Sequence, residues 1–139
     1  MTKAVDFRRV GDDALPVTPV PVTTGGLSVH KAISAASTNE ALIQAGPVQI
    51  YGWSLYSVNA SARYLKLYNT ATTPVVGTDT PVMTILIPGS STGAGNNWQG
   101  AHGISFPLGL GFALTTGIAD NNTGAVAANE IAVNLHWKG

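Results

Sequence analysis

The 139-residue chain carries seven basic and seven acidic side chains, so its formal net charge is zero, and it contains no cysteine. The balanced charge lacks the basic footprint of a nucleic-acid-binding protein, and the absence of cysteine excludes disulfide frameworks, thiolate zinc sites and cysteine nucleophiles. No continuous apolar run reaches the roughly 18 residues of a membrane-spanning helix, and the N-terminus is charged where a signal peptide is apolar. We therefore expect a soluble protein with no export signal and with neither a nucleic-acid nor a membrane partner.

The first 26 residues predict an extended N-terminal arm. Eight of the fourteen charges lie in residues 1–40, and residues 15–24 read L-P-V-T-P-V-P-V-T-T. The three prolines disfavour a helix or a central strand and favour a polyproline-like path, and the two glycines that follow supply a hinge. Two interpretations remain open: Val17, Val20 and Val22 lie along the surface of a neighbouring subunit, or the segment is a poorly ordered tail.

From Leu27 onward the sequence predicts one all-β domain, residues 27–139. Short runs of alternating apolar and polar residues are separated by Gly, Pro, Asn and Asp, which is typical of half-buried strands joined by turns. The predicted strands cover residues 27–34, 48–58, 62–68, 82–87, 104–108, 111–116 and 130–137. About seven or eight strands without a long helix predict a two-layer antiparallel β-sandwich or jelly roll.

Three segments between or beside these strands carry their own predictions. Residues 37–45 favour one helical turn, because a serine and a glutamate stand at capping-box spacing and a Gly-Pro pair follows. The strands at 48–58 and 62–68 are separated by a connection of hairpin length, so we expect them to pair with each other. The glycine-rich residues 89–100 predict an exposed loop whose one large side chain is Trp98.

Half of the aromatic residues fall on the two central strands. Alternation places Tyr51 and Trp53 on one face of their strand and Tyr56 on the other, and it places Tyr64 and Tyr68 on a shared face. Three interpretations remain open for this cluster: core packing, a subunit interface, or a platform for sugar rings.

The sequence shows no constellation of catalytic or metal-binding residues. The histidines, His30, His102 and His136, have no metal-binding spacing, and His30 and His136 fall on the polar faces of predicted strands. The sequence contains no G-x-S-x-G motif, and nothing in it points to a carboxylate pair of the glycosidase kind. We therefore expect a protein that is not an enzyme and that uses no cofactor or metal.

The low charge density predicts self-association. Charged residues supply 10% of this sequence, whereas about a quarter is usual in globular proteins. A nearly neutral surface with few charges tends to associate, so we expect a homo-oligomer, most simply a trimer or part of a larger assembly. The alternative is that Thr, Ser and Asn keep a monomeric β-protein hydrated.

Two stretches resemble small proteins of tailed bacteriophages and prophages. The first is A-R-Y-L-K-L-Y-N-T-A-T-T-P-V-V-G-T-D-T followed by P-V-M-T-I-L-I-P, residues 62–88, and the second begins G-I-S-F-P-L-G-L-G-F and continues to residue 135. The resemblance covers roughly residues 33–138. It implies a non-enzymatic β-sandwich of the virion, with a head decoration, or cement, protein as the first choice.

This resemblance implies partners and a location. It implies that the chain is made in the host bacterial cytoplasm and acts on the capsid surface, where we expect it to bind the major capsid protein or other virion subunits and to stabilise the assembled head. The arm residues expected to contact the shell or a neighbouring copy are Arg8, Arg9, Leu15, Val17, Val20 and Val22. The alternative is a host-recognition module of a tail or fibre, which would bind carbohydrate through Trp98 and the surrounding N-N-W-Q segment.

Overall fold

A computed structural model describes residues 25–139 as eight strands in two four-stranded antiparallel sheets. The strands are β1 (Ser28–Ile33), β2 (Ala41–Ala45), β3 (Val48–Ser57), β4 (Arg63–Asn69), β5 (Met83–Ile87), β6 (Ala94–Phe106), β7 (Gly109–Thr115) and β8 (Ile131–Lys138). The predicted all-β sandwich is confirmed. Most of the predicted arm lies outside the described residues, which contain no helix and therefore none that could span a membrane.

The strand order is that of a jelly roll. Sheet A has the order β1-β8-β3-β6 and sheet B has the order β2-β7-β4-β5. Strand β1 pairs with β8, β2 with β7, β3 with β6 and β4 with β5, as if one long hairpin had been folded over on itself. The pairs β3–β8 and β4–β7 then complete the two sheets, which settles the choice between a plain sandwich and a jelly roll.

Alternate residues of both sheets fill the space between them. On β8, for example, Ile131, Val133 and Leu135 are buried, while the residues between them are half-buried on the opposite face. The core contains Val48, Ile50, Trp53, Leu55, Leu65, Leu67, Ile85, Ile87, Phe106, Leu110, Phe112, Leu114, Val126, Ile131, Val133 and Leu135. This burial provides the hydrophobic stabilisation of the domain.

The centre of the outer face of sheet B is closed by the chain's own loops. Lys66 and Tyr68 point away from the core, as alternation predicts, yet both are buried. The Lys66 ammonium donates to the carbonyl of Ala119 in the β7–β8 connection, and burial lowers the Lys66 pKa, with the charge of Asp120 opposing that shift. Pro74, from the β4–β5 connection, lies over Gly111. Sheet A therefore presents the more open of the two outer faces.

The predicted hairpin between residues 48–58 and 62–68 is wrong. Strands β3 and β4 belong to different sheets, and the residues between them form a corner. Asn59 turns that corner, because its Oδ1 accepts from the Ser61 amide at 2.7 Å while its Nδ2 donates to Glu130 at 2.5 Å. Contacts to a residue far along the chain therefore override the hairpin-like length of the connection.

Two further segment predictions are wrong. Residues 41–45 form β2 instead of a helical turn, because the carbonyl of Thr38 accepts from Leu114 of β7 and Asn39 adopts a φ of 56°. Most of residues 89–100 belong to β6 instead of an exposed loop. In that segment, pairing with β3 from Ala94 to Gln99 supplies the order that the glycine-rich composition does not.

A buried carboxylate joins four parts of the chain at one end of the sandwich. Glu130 is 7% exposed and accepts from Arg63 Nε at 2.7 Å, from Asn59 Nδ2 at 2.5 Å and from the Ala127 amide at 3.0 Å. The Glu130 amide also donates to Ser34 Oγ at 3.1 Å. Burial by itself would raise the pKa of Glu130, but hydrogen bonds from Arg63, Ala127 and Asn59 outweigh burial and lower it.

His30 faces inward, so its predicted place on a polar face is wrong. Its ring meets Phe112 of β7 edge-on with 5.2 Å between ring centroids. Its buried Nε2 has no hydrogen-bond partner among residues 25–139, and burial lowers the pKa of His30 below 6.5. The imidazole therefore packs in its neutral form at the β1 edge of the core.

We expect His30 to make the domain less stable as the pH falls below 6.5. The unfolded chain takes up the His30 proton before the folded chain does, so the free energy of unfolding decreases with decreasing pH until the folded-state pKa is passed. Urea unfolding at a series of pH values from about 7.5 to about 5 measures how the free energy of unfolding changes with pH. In a His30→Leu variant the slope should be shallower, and an identical slope would contradict the assignment.

Candidate protein interface

The outer face of sheet A is built from three rows of side chains that cross the four strands. Pairing registers place Val29, His136, Gly52 and Gln99 in the first row, Lys31, Asn134, Ser54 and Asn97 in the second, and Ile33, Ala132, Tyr56 and Gly95 in the third. Each row takes one residue from β1, β8, β3 and β6 in turn. We call this surface the outer face of sheet A.

Apolar side chains occupy the end of this face near the third row. Ile33 is 49% exposed, Tyr56 is 48% exposed and Val58 is 42% exposed. Together with Ala132 and Ile131 they line a shallow groove of about 190 Å³, which Asn129 and the ion-paired Glu130 also line. On the first row, Val29 is 61% exposed. Exposed large apolar side chains that lie next to one another on the same sheet are typical of a surface that another molecule covers.

The Tyr56 ring packs against the backbone of a glycine, Gly93. Gly93 has a φ of 108°, and a Cβ at that position would overlap the Tyr56 hydroxyl. Any side chain at position 93 would therefore push the ring away. Gly95, which is opposite Tyr56 in the register, also presents bare backbone beside it. The ring therefore lies against the backbone of Gly93 and remains about half exposed at the apolar end of the face.

Charge is scarce on this face. Lys31 is the one charged side chain in the three rows, and the rest of the second row consists of Asn134, Ser54 and Asn97. Neutral amides and hydroxyls give up their hydration at less cost than ionised groups do. The face can therefore be covered by a partner with little loss of solvation.

The aromatic residues of β3 lie on both faces of sheet A. The prediction that Tyr51 and Trp53 share one face is wrong. The register shifts between Ile50 and Gly52, so a β-bulge reverses the alternation. Tyr51 lies on the outer side, where its hydroxyl donates to Gln49 Oε1 at 2.8 Å. Trp53 instead packs into the core.

Trp98 stands on β6 and packs inward. Its ring is tilted against that of Trp53 with 4.8 Å between centroids, and it is partly buried against the core. Nearby, Trp53 Nε1 donates to Asn96 Oδ1 at 3.1 Å, and Asn96 Nδ2 donates to the Leu86 carbonyl of sheet B at 2.8 Å. Trp98 thus helps to seal the β5–β6 edge of the sandwich, and part of its surface remains accessible.

The other candidate contact residues, Arg8, Arg9, Leu15, Val17, Val20 and Val22, lie outside the described residues. The described chain does show where the arm joins the domain. Residues 25–27 lead directly into β1, which is an edge strand of sheet A. The arm therefore joins the domain at the N-terminal end of an edge strand of sheet A.

Within residues 25–139, no group of three or more His, Cys, Asp or Glu side chains is arranged to hold a metal ion. The one ion pair found in that part of the chain, Arg63 with Glu130, is built into the corner between the sheets. What the described surface offers is a broad, nearly uncharged face suited to contact with another macromolecule.

Comparisons with known proteins assign no family. No protein-family model, no curated protein and no solved structure matches the chain significantly. The jelly roll is therefore established by its strand order, and function has to be argued from the surface that this fold presents.

Proposed function

We propose that this chain is a non-enzymatic structural protein of a bacteriophage virion, namely a decoration, or cement, protein of the capsid surface. It binds the assembled head shell through the outer face of sheet A and the N-terminal arm. The observation that carries the proposal is the nearly uncharged outer face of sheet A, which exposes Ile33, Tyr56 and Val58 and whose edge strand β1 follows the arm. The resemblance of residues 62–88 and 103–135 to phage proteins supplies the virion context.

The fold is compatible with this role without deciding it. Jelly rolls build viral capsid proteins and also lectin domains, and one fold serves many functions. Ile33, Tyr56 and Val58 provide apolar area that a shell subunit would bury. The amide and hydroxyl side chains of the second row, Asn134, Ser54 and Asn97, would fix orientation by hydrogen bonds.

The flat extent of the face is smaller than a standard interface, which favours a contribution from the arm or from further copies. Four strands spaced about 4.8 Å apart, each contributing some seven residues of about 3.4 Å, give roughly 450 Å². A stable interface takes about 800 Å² from each partner. The arm residues Val17, Val20 and Val22, or several linked copies, would supply the remainder, since joined weak contacts gain from high effective concentration.

We therefore propose self-association, most simply as a trimer. Sedimentation equilibrium of the full chain at micromolar concentration should give a mass several times the 14.3 kDa of one chain, and three times that mass for a trimer. The physical reason is the low charge density of a surface that also carries exposed valine, isoleucine and tyrosine side chains. A monomer throughout this concentration range would contradict the proposal.

The direct test of the function is cosedimentation with phage heads. Heads that lack the chain should bind the purified full-length protein saturably, and they should then resist heat better, because a ligand of the assembled state stabilises that state. Unassembled shell subunits should bind it weakly. Absence of saturable binding to heads would refute the proposal.

A further inference from the structure

A second groove opens on the outer side of sheet A, beyond the end of β1. It has a volume of about 310 Å³ and is lined in part by Gln49, Tyr51, Ser105 and Lys138. The first residue of β1, Ser28, pairs with Trp137, so no residue of β1 lies beside Lys138. The groove therefore lies at the opposite end of sheet A from Ile33 and Val58. We call it the Tyr51 groove.

The β-bulge of β3 places the aromatic ring in this groove. Ile50 pairs with Trp137 and Gly52 pairs with His136, so Tyr51 is an extra residue of β3 opposite β8. On the other side, four residues of β6 lie between the partners of Ile50 and Gly52. Without the bulge, alternation would keep Tyr51 on the side of Trp53, which is the core side. Bulges of this kind re-aim side chains and are frequent next to binding sites.

The surroundings of Tyr51 fix its ring. The Tyr51 hydroxyl donates to Gln49 Oε1 at 2.8 Å. Gly103 is one of the four residues of β6 between Gln99 and Ile104, and it lies close to the side chains of Tyr51 and Gln49. A Cβ on Gly103 would stand 3.0 Å from Tyr51 Cζ and would overlap the Gln49 side chain. The ring is therefore ordered before any ligand binds, which lowers the entropic cost of binding.

The polar groups of the groove stand in one row. Gln49 is the register partner of Lys138 on one side and of Ser105 on the other. Because Gln49 Oε1 already accepts from Tyr51, its amide N–H groups are left to donate to a ligand. The row thus offers an ammonium group, an amide donor and a hydroxyl beside an aromatic ring.

We propose that the Tyr51 groove binds an acidic saccharide, a pyranose ring that bears a carboxylate. The C–H face of the sugar packs on the Tyr51 ring, the carboxylate pairs with the Lys138 ammonium, and the sugar hydroxyls bind the Gln49 amide and Ser105 Oγ. This activity is independent of head binding.

The test is a titration of the full-length protein, followed by NMR or calorimetry, with glucuronate and galacturonate against glucose, galactose and acetate. The uronates should bind roughly fivefold more tightly than their uncharged counterparts, which is the size of an exposed ion pair. Acetate should bind more weakly than either uronate, because it offers nothing to the Tyr51 ring. A Lys138→Gln variant should bring uronates and neutral sugars to the same affinity.

Matched controls come from the same face. Tyr51→Ala should weaken uronate binding roughly tenfold, whereas Tyr56→Ala and Lys31→Gln should leave it unchanged. Tyr51→Phe keeps the ring and should retain most of the affinity, which guards against loss of folding in the alanine variant. Three results would each overturn the proposal: no uronate binding at millimolar concentrations, acetate binding as tight as uronate binding, or equal effects of the Lys31 and Lys138 variants. None of these measurements involves phage heads, so their outcome is separate from that of the proposed capsid role.

Discussion

An Ile33→Asp/Tyr56→Asp double variant should lose binding to phage heads while the domain stays folded. The two side chains flank Ala132 in one row and are each about half exposed, 49% and 48% respectively. A carboxylate buried against a shell subunit without a partner costs several kcal/mol. We therefore expect affinity to fall by roughly 100-fold or more, measured by cosedimentation over a range of protein concentrations.

The matched control is Leu86→Asp. Leu86 is also 48% exposed on a strand, but it belongs to β5 of sheet B. It should leave head binding intact and should lower stability about as much as either single aspartate substitution. Equal loss of binding in the control would place the docking surface elsewhere, and full binding by the double variant would exclude the outer face of sheet A.

The arm can be tested in the same assay. A chain of residues 25–139 keeps every strand of the jelly roll, so it should fold and yet bind heads more weakly than the full chain. The arm prediction is independent of the face prediction, because the shortened chain keeps Ile33 and Tyr56 and lacks only arm residues such as Val17 and Val20. Undiminished binding by the shortened chain would remove the arm from the proposed mechanism.

Alternation made the fold class predictable. On β8, apolar residues at every second position face the core, and the pattern alone gives both the strand and its orientation. The same holds for β4, where Leu65 and Leu67 are assigned correctly to one side. The pattern contains no information about what covers the other side, so it did not show that Lys66 would be buried by loops.

The strand β6 and the corner after β3 could not be read from local sequence. Ala94–Phe106 is rich in glycine and asparagine and becomes a strand because β3 supplies its hydrogen-bond partners. The alternation of Asn96 and Trp98 inward with Asn97 and Gln99 outward is the one local signal. At the corner, Asn59 is fixed by Glu130, 71 residues later. Local turn statistics take no account of such a contact.

The candidate surfaces depend on strand order, which the sequence does not encode in any local pattern. Ile33 and Tyr56 meet only because β8 lies between β1 and β3 in sheet A. Tyr51 reaches its groove through a bulge, which breaks the period of two on which face assignments rest. Both surfaces therefore required the three-dimensional register, although their aromatic residues were singled out from sequence.

Glu130→Ala should destabilise the domain by about 3 kcal/mol, the cost of removing one partner from a buried ion pair. Arg63, 14% exposed, would keep its charge without the 2.7 Å contact, and Asn59 and the Ala127 amide would each lose an acceptor. Glu130→Gln retains an oxygen of similar position and should cost less, about 1 kcal/mol. Urea unfolding at neutral pH measures both values, and wild-type stability in the alanine variant would show that the network contributes nothing.

The Glu130 carboxylate should make the stability of the domain decline over a defined range of acidic pH. Burial opposes ionisation of Glu130, yet hydrogen bonds from Arg63, Ala127 and Asn59 lower its pKa in the folded state below the ordinary value of 4.5. Above pH 4.5 its stabilisation is fully present; as the pH falls, the unfolded chain is protonated first, so stability declines until the folded-state pKa is passed. Glu130→Gln has no proton to take up at this position and should therefore lose less stability than the wild type between neutral pH and that lower limit. If the two proteins instead declined in parallel, the carboxylate would be titrating as it does in the unfolded chain, and the hydrogen bonds drawn to it would not stabilise its ionised form.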